Sequence, residues 1–191
     1  MAEQSDIEPI LCINKCDLVS EAELKKIQDI YRDVYPVICA SGKTGKGIDQ
    51  LLRYIEGKKV AFAGPSGVGK STITNLIIPG ANMETGTVSQ KTDRGRHTTR
   101  HVEIFEALGG GMVFDTPGFT SFDILEAEAE ELADYYPEIA AYKGQCKFDD
   151  CRHLKEPGCK VLEAVAGGRI HRARYESYLA NLEEVKKRKR Y

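Results

Sequence analysis

The chain has 191 residues, of which 41% are hydrophobic and 29% charged, and its formal net charge is −2. These values suit a globular domain with a small addition, and they exclude a chain that attracts nucleic acid through an overall positive field. No apolar run approaches the roughly 20 residues that a membrane-spanning helix needs. The polar, acidic start of the chain does not have the pattern of a signal peptide. We therefore expect a cytoplasmic protein without membrane attachment, whose cysteines are reduced.

The first predicted element is a short apolar strand, Pro9–Ile13, which runs into Asn14-Lys15-Cys16-Asp17. These four residues fit the pattern Asn-Lys-x-Asp. The aspartate can accept two hydrogen bonds from the N1 and N2 edge of guanine, and adenine lacks both donors, so an ATP-using enzyme is disfavoured. We expect Asn14 to brace the site and the stem of Lys15 to cover the base.

A helix is predicted next, because Ser20 and Glu23 form a capping box ahead of apolar residues at helical spacing. A second strand, Tyr35–Cys39, leads to Ala40-Ser41. This turn is similar to the GTPase loop whose backbone N–H contacts the guanine O6. The similarity supports a guanine site because this loop follows the Asn-Lys-x-Asp motif in the sequence.

The best-defined motif of the chain follows a short predicted helix, Gly47–Ile55, and an apolar strand, Val60–Ala63. It fits the phosphate-loop pattern Gly-x4-Gly-Lys-Ser/Thr at every required position, through Gly64-Pro65-Ser66-Gly67-Val68-Gly69-Lys70-Ser71. The glycines let backbone N–H groups face a polyphosphate, and a helix begins there with its positive dipole end. Lys70 would reach the outer phosphates and Ser71 would ligate magnesium. A glycine-rich turn without a ligand is the alternative, and it does not account for the lysine and the serine.

The segment from 83 to 100 has few apolar residues and is predicted to be a loop. It ends in the sequence Gly-Arg-His-Thr-Thr, residues 95–99. A threonine there, Thr98 or Thr99, could complete the magnesium shell and sense the third phosphate. The sequence does not decide between the two, and Thr99 is our working candidate for the magnesium ligand beside Ser71.

Two further strands are predicted to form a hairpin around the glycines 109–111, and the second strand ends in Asp-Thr-Pro-Gly, residues 115–118. Asp115 is suitably placed to hold magnesium through water, and the N–H of Gly118 to meet the third phosphate. An amphipathic, acidic helix is predicted beyond it, over Leu125–Tyr136.

Four candidate metal ligands lie within fourteen residues of one another: Cys146, Cys151, His153 and Cys159. Three thiolates and one imidazole suit a closed tetrahedral zinc site, so the zinc would be structural rather than catalytic. The polar residues between the ligands could not build a core, and the metal would supply the folding energy. Disulfides or unligated thiols are the alternative. The reducing compartment and the interposed histidine disfavour it.

Two helices are predicted after the cysteine segment. The short one spans residues 161–166 and ends at two glycines, 167–168, which are a helix-stop signal. The longer one has apolar residues at helical spacing between 170 and 185 and ends in a basic run, 186–190. That run could contact RNA phosphates, or it could be a solvated helix end favoured by the helix dipole.

The order of these motifs is the usual one cut and rejoined at another place. In most GTPases the phosphate loop comes first and the guanine motif follows Asp-x-x-Gly, whereas here residues 14–17 precede residues 64–71 and 115–118. With the Gly-Arg-His-Thr-Thr loop and the Cys3His segment, this circular permutation resembles the ribosome small subunit-dependent GTPases along essentially the whole chain. The resemblance implies an α/β fold: a permuted P-loop GTPase domain with a mainly parallel sheet, residues 1–122, and a small helical zinc-binding domain, residues 123–191.

The resemblance also implies a function. We expect a monomeric GTP hydrolase that binds GTP or GDP with Mg²⁺ and holds one structural Zn²⁺. It would act late in maturation of the small (30S) ribosomal subunit, contact its 16S rRNA, and leave on hydrolysis. Turnover would be slow alone and stimulated by the ribosome. The alternative is a non-catalytic RNA-binding module that nucleotide and zinc merely stabilise, and Asp115, His97 and the loop that carries His97 argue against it.

His97 is the candidate for orienting the attacking water. Many GTPases place glutamine directly after Asp-x-x-Gly, but Phe119 occupies that position here and cannot orient water. The imidazole of His97 could do so once its loop closes, as the family resemblance also suggests. The other interpretation is a surface-loop histidine without a role.

Members of the resembled family begin with an oligonucleotide-binding barrel, followed by a strand and a helix ahead of the guanine motif. Neither precedes the Pro9–Ile13 strand in this sequence, so we expect a truncated chain. The absent strand would lie between the phosphate-loop strand and Pro9–Ile13. We therefore expect either a gap in the sheet at that place or direct pairing of those two strands.

Overall fold

The structure is a computed structural model that describes residues 7–81, 103–115 and 128–188. It divides the chain into two compact units. One unit comprises Met1–Leu11, Lys25–Val37 and Asp123–Tyr191, and the other comprises Cys12–Leu24 and Ile38–Phe122.

Strands and helices alternate in the first part of the chain, and helices alone follow in the last. The strands are β1 (Leu11–Ile13), β2 (Val37–Cys39), β3 (Lys59–Ala61), β4 (Glu103–Glu106) and β5 (Met112–Asp115). The α-helices are α1 (Glu21–Tyr31), α2 (Ile48–Ile55), α3 (Lys70–Ile77), α4 (Pro137–Ala140), α5 (Lys160–Ala166) and α6 (Arg172–Arg188). Short 3₁₀ helices cover Cys16–Leu18 and Leu132–Tyr135. None of the helices in the described ranges is long and apolar enough to cross a membrane.

The strands form two sheets, of which the larger has the order β3-β5-β4. β3 runs parallel to β5, with Ala61 opposite Phe114, and β4 pairs antiparallel with β5 around the predicted glycine turn. In the β1–β2 sheet the N–H of Leu11 donates to Pro36, and the N–H of Ala40 donates to Ile13. These bonds advance along both strands in the same direction, so this pair is also parallel. The mainly parallel sheet that the sequence predicts is confirmed.

No strand pairing joins β1 to β3 in the parts of the chain that the structure describes, since the two lie in separate sheets. Of the two outcomes expected for this place, a gap or direct pairing, the gap is therefore the one observed. Each strand has only three or four residues, so its backbone hydrogen bonds alone contribute little stability. The sheets therefore need helices packed beside them to be stable.

The β4–β5 hairpin of the larger sheet contacts the end of α3, where the N–H of Leu108 donates to the Ile77 carbonyl at 2.7 Å. Val113 of β5 is 1% exposed, whereas its neighbour Met112 is 48% exposed on the opposite face. Gly111 lies where the hairpin passes the end of α2: a Cβ atom there would stand 2.2 Å from the carbonyl oxygen of Ile55. Only glycine allows this close approach. The buried apolar residues of α2 and α3 are Ile48, Leu51, Ile55, Ile73 and Ile77.

The start of α1 confirms the predicted capping box. The backbone N–H of Ser20 donates to Glu23 at 3.0 Å, and the N–H of Glu23 donates back to the Ser20 hydroxyl at 3.3 Å. Two helix N–H groups that would otherwise lack a partner are thus satisfied.

The helix predicted over Leu125–Tyr136 is wrong in its described part. From Glu128 the chain forms turns and then the 3₁₀ helix Leu132–Tyr135, and Tyr136 is extended with φ −115° and ψ 95°. Pro137 accounts for the extended Tyr136, because its ring disfavours the helical conformation of the preceding residue, and Pro137 itself begins α4. Repulsion among the closely spaced glutamates before Leu132 also weakens a regular helix.

The C-terminal helices enclose a second core around the cysteine segment. Its members are apolar or aromatic residues that the 3₁₀ helix, α4, α5 and α6 turn towards one another: Ala129, Leu132, Tyr136, Ile139, Cys159, Val161, Ala164, Ile170, Tyr178, Leu182 and Val185. The core therefore includes one of the candidate metal ligands, Cys159.

Candidate nucleotide site and metal centre

The predicted phosphate loop joins β3 to α3. Gly64, Gly67 and Gly69 have φ angles of 148°, 79° and 94°, which side-chain-bearing residues rarely adopt. α3 begins at Lys70 directly after Gly69, and no side chain in the described ranges caps it. The first N–H groups of the helix have no partner inside the helix and carry its positive dipole end, so they form an anion-binding terminus.

Lys70 is folded back over this loop. Its ammonium donates to the carbonyl oxygens of Gly64 at 2.6 Å and Pro65 at 3.0 Å. Ser71 is the second residue of α3, and one turn later the Thr74 hydroxyl donates to the Lys70 carbonyl at 2.9 Å. The lysine head is therefore held at the loop by weak neutral acceptors, which a phosphate oxygen could replace with a stronger, charge-assisted bond.

Asn14 connects the guanine motif to the phosphate loop. Its amide nitrogen donates to the Val68 carbonyl at 2.8 Å, and its amide oxygen accepts from the N–H of Gly42 at 3.0 Å. Gly69 leaves room for this bridge, because a Cβ atom there would lie 2.3 Å from the Asn14 amide nitrogen. Lys15 adds a second link by donating from Nζ to the Gly67 carbonyl at 2.7 Å.

Asp17 is oriented by the second guanine loop. The Ser41 hydroxyl donates to Asp17 Oδ1 at 2.6 Å, and this bond, the largest cause, lowers the pKa of the carboxyl group. The N–H of Cys16 donates to the Ala40 carbonyl at 3.0 Å, which ties the same two loops together. The carboxylate is therefore ionised at neutral pH, which is the form that accepts hydrogen bonds from guanine.

The contact between Ser41 and Asp17 is a feature that the sequence analysis missed. Ser41 was identified only as part of the loop near the guanine O6, whereas it is fully buried and also accepts from the N–H of Thr44 at 3.1 Å. The available signal was that both residues belong to motifs predicted to contact guanine, Asp17 in Asn-Lys-x-Asp and Ser41 in the loop near O6. Its partner lies 24 residues away, which periodicity cannot reveal.

The remaining predicted nucleotide residues divide into two groups. Asp115 ends β5 one residue after Phe114, which pairs with Ala61 of β3. Both the phosphate loop and Asp115 thus leave the same edge of the sheet, where ligands of parallel α/β sheets bind. The other group, His97, Thr98, Thr99 and Gly118, lies outside the described residues. The contacts of both groups with nucleotide and magnesium stay predictions.

The four predicted metal ligands form one cluster. Their ligand atoms all lie within 4.8 Å of one another, and no other group of this kind is found in the described parts of the chain. The His153 Nδ1 atom lies 3.7 Å from Cys146 Sγ, 3.5 Å from Cys151 Sγ and 3.4 Å from Cys159 Sγ. A tetrahedral zinc ion with ordinary bond lengths has ligand–ligand edges of about 3.5–3.8 Å. The donor set and its spacing therefore fit one metal ion.

Burial controls the protonation of this cluster. Burial lowers the pKa of His153, which is 7% exposed. It raises the pKa of Cys159, and it raises the pKa of Cys151 to about 12. The neutral imidazole is already the metal-binding form. The thiols would lose their protons on metal binding, so that the metal charge replaces them.

A family model described as RsgA GTPase matches residues 1–125 of the chain. The chain belongs to this family. It is 44% identical over its whole length to the small ribosomal subunit biogenesis GTPase RsgA of Alkaliphilus metalliredigens, and spans 66% of that protein. It is 46% identical over 97% of its length to the protein of the same name from Moorella thermoacetica, and spans 64% of it. The chain thus covers somewhat less than two thirds of these RsgA relatives.

Two solved structures confirm the permuted fold. The crystal structure of YjeQ from Thermotoga maritima superposes with a TM-score of 0.78 at 40% identity, over 96% of this chain and 62% of that one. The structure of YloQ, described as a circularly permuted GTPase, gives a TM-score of 0.76 at 36% identity, over 98% of this chain and 60% of that one. The family and the permuted P-loop fold that the sequence predicts are both confirmed.

Proposed function

We propose that the chain carries the nucleotide-binding and metal-binding parts of a GTP hydrolase that serves maturation of the small ribosomal subunit. One observation carries the proposal: the Asn14 amide bonds to both Val68 and Gly42. A guanine-specific motif is thereby joined to a phosphate loop. A site that recognised only phosphate or only a base would not need this link.

Recognition of guanine follows from the charge and position of Asp17. The hydrogen bond from the Ser41 hydroxyl uses one lone pair of Asp17 Oδ1. The carboxylate keeps enough lone pairs to accept from the N1 and N2 groups of guanine. Adenine offers no donors at those positions, and binding it would leave the carboxylate unpaired. We propose that Lys15 covers the base with its stem and that Ala40 and Ser41 line the guanine pocket. The N–H groups of Ala40 and Ser41 donate to the carbonyls of Ile13 and Lys46 at 2.9 Å, so a bond from either N–H to the guanine O6 would have to replace one of these.

Phosphate binding follows from the exposed loop and the start of α3. We propose that the ammonium of Lys70 exchanges the Gly64 and Pro65 carbonyls for the outer phosphates of GTP. Backbone N–H groups of residues 66–71 would surround the inner phosphates. Ser71 and Thr99 would ligate Mg²⁺, which neutralises charge that develops on the phosphates during hydrolysis.

Hydrolysis needs a group that orients water, and we propose His97 for this role. Asp115 and Gly118 would meet magnesium-bound water and the third phosphate. Since four of these residues (His97, Thr99, Asp115 and Gly118) lie at or beyond the edges of the described ranges, the support comes from the motif order and from the family. Turnover is expected to be slow until a partner orders the loop.

The partner we propose is the 30S subunit with its 16S rRNA. Support comes from the curated relatives, whose names describe small ribosomal subunit biogenesis. We also propose that the metal in the Cys146–Cys159 cluster is one structural Zn²⁺, because three sulfurs and one imidazole suit zinc and leave no open position. We further propose a monomer that works in the cytoplasm, with a nucleotide-binding domain in residues 1–122 and a metal-binding domain in residues 123–191.

The proposal is tested by measuring GTP hydrolysis with and without purified 30S subunits. The measurement should be made on this chain and on the same chain extended by the N-terminal portion found in the relatives. We expect GDP and GTP to bind in preference to ADP and ATP, and 30S subunits to raise the hydrolysis rate of the extended chain. Lys70→Ala should abolish the stimulated rate. Guanine binding without any stimulated hydrolysis would instead support a non-catalytic RNA-binding module.

A further inference from the structure

His153 is held in an unusual backbone conformation. Its φ is +58°, and Lys15 is the one other non-glycine residue with positive φ in the described ranges. Residues with a side chain reach this conformation only when their surroundings compensate for its cost. A candidate metal ligand in such a conformation therefore requires groups that hold its turn in place.

Glu156 holds the N–H side of this turn. Its Oε1 accepts from the backbone N–H of Arg152 at 3.0 Å, and its Oε2 accepts from the N–H groups of Leu154 at 2.6 Å and Lys155 at 2.9 Å. The N–H groups on both sides of His153 are thus bound by one carboxylate. Because both oxygens are committed to the backbone, Glu156 does not compete with the sulfurs as a metal ligand.

Two tyrosines of α6 hold the carbonyl side of the same turn. The Tyr175 hydroxyl donates to the His153 carbonyl at 2.6 Å, and the Tyr178 hydroxyl donates to the Arg152 carbonyl at 2.9 Å. Tyr178 is 1% exposed, and its ring packs against that of Tyr175 at a centroid distance of 6.3 Å. Five hydrogen bonds from three side chains therefore fix the four residues 152–155.

We propose that Glu156 is the positioning residue of the metal centre, assisted by Tyr175 and Tyr178. It holds the His153 turn so that Nδ1 faces the three sulfurs without contacting the metal itself. Ligand geometry and metal affinity then depend on a carboxylate that is not a ligand. The proposal rests on the metal centre put forward under the proposed function, and it is independent of nucleotide chemistry.

The chemistry of the Glu156 carboxylate makes the proposal specific. Replacing it by an amide keeps the size of the side chain but turns one acceptor into a donor that faces backbone N–H groups. Glu156→Gln should therefore lose some of the hydrogen bonds to the N–H groups of residues 152, 154 and 155 without leaving a cavity. Removing groups that orient metal ligands typically weakens metal binding about 10- to 100-fold.

The test is a titration of the metal-free full chain with Co²⁺, followed through its visible absorption, and with Zn²⁺ in competition with a chromophoric chelator. Glu156→Gln is expected to bind Zn²⁺ at least tenfold more weakly and to shift the Co²⁺ bands that report ligand geometry. Glu183→Gln is the matched control, because Glu183 of α6 lines the same groove as Glu156. It should bind both metals like the unaltered chain.

Three outcomes would overturn the proposal. The first is a Glu156→Gln chain with unaltered Zn²⁺ affinity and an unaltered Co²⁺ spectrum. The second concerns Tyr175→Phe, which removes only one hydroxyl donor and is used if circular dichroism shows that Glu156→Gln does not fold. An unchanged Zn²⁺ affinity of Tyr175→Phe would count against the proposal. The third is an unaltered chain that binds neither metal, which would overturn the metal centre itself. The nucleotide assays would remain unaffected.

Discussion

Arg174 donates from Nε to Glu138 Oε1 at 2.6 Å, and the two side chains are only 13% and 9% exposed. The guanidinium also lies over three aromatic rings, at 5.4 Å from Tyr31, 5.7 Å from Tyr35 and 5.1 Å from Tyr136. Tyr31 and Tyr35 belong to the segment between the two guanine loops in the sequence. The C-terminal helix α6 is thus joined, within one compact unit, to the part of the chain that connects those loops.

Arg174→Met should destabilise the protein by about 3–5 kcal/mol, because it leaves the Glu138 carboxylate buried without its charge partner. Glu138 Oε2 already lacks a hydrogen-bond partner in the described residues, so no hydrogen bond to that oxygen would offset the loss of the guanidinium. Urea unfolding of both chains measures the change. Arg172→Met provides the control: its pair with Glu176 is 84% and 60% exposed and should be worth less than about 1 kcal/mol. Similar losses in the two variants would contradict the role of burial.

The Arg174 contacts also illustrate what the sequence could predict. Local patterns predicted the phosphate loop, the capping box of Ser20 and Glu23, and the Cys3His cluster, since each depends on neighbours within a few residues. The partners of Arg174, by contrast, lie in two distant segments, residues 31–35 and 136–138. No spacing rule connects a helical arginine with tyrosines more than a hundred residues earlier.

The same reasoning explains the errors and omissions at the sites. The helix predicted over Leu125–Tyr136 is wrong in its described part because apolar periodicity does not reveal the repulsion among the closely spaced glutamates before Leu132, which weakens a regular helix. Glu156 is one of the polar residues that the sequence predicts cannot build a core, although its carboxylate accepts from three backbone N–H groups. Side-chain to backbone bonds of this kind become visible only when the turn is known in three dimensions.

Ser41→Ala should make guanine nucleotide binding more sensitive to acid. The Ser41 hydroxyl lowers the pKa of Asp17 by stabilising the carboxylate, so its removal raises that pKa towards the ordinary value. The ionised form, and the binding that depends on it, is present above the pKa and is lost as the pH falls through it. In the unaltered chain this loss is therefore confined to lower pH. Affinity for GDP measured from pH 7 down to pH 4 should fall earlier in the variant.

Thr44→Ala is the matched control for this pH profile. Its hydroxyl lies on the same loop but accepts from the N–H of Lys46 at 3.4 Å and does not contact Asp17. The profile of this variant should coincide with that of the unaltered chain. An acid limb that moves equally in both variants would mean that loop stability, rather than the Asp17 carboxylate, sets the pH dependence.

Gly69→Ala should abolish the bridge between the guanine motif and the phosphate loop. The φ of +94° costs an alanine about 1–2 kcal/mol, and its Cβ would lie 2.3 Å from the Asn14 amide nitrogen. Asn14 must then move, so we expect GDP affinity to fall at least tenfold in isothermal titration. Gly80→Ala has a similar φ of +73° and nothing within 4 Å of the added carbon. That control should lose about the same backbone energy while it binds GDP normally, and equal binding by both variants would rule out the bridge.

Removal of the metal should unfold the region around α5, because the metal ligands also begin this helix. The N–H of Leu162 donates to Cys159 Sγ at 3.5 Å, and the N–H of Lys160 donates to Cys146 Sγ at 3.4 Å. A thiolate held by a cation keeps these acceptors in place, whereas protonated thiols are weak acceptors that no metal ties together. Treatment with a strong chelator should lower the helical signal in circular dichroism and the unfolding temperature, and added Zn²⁺ should restore both. Cys159→Ala should reproduce the loss without rescue by Zn²⁺, while Cys39→Ala, a cysteine of β2 outside the cluster, should respond like the unaltered chain. A chelated protein with full helicity and an unchanged unfolding temperature would show that the hydrogen bonds around residues 152–155 suffice without any metal.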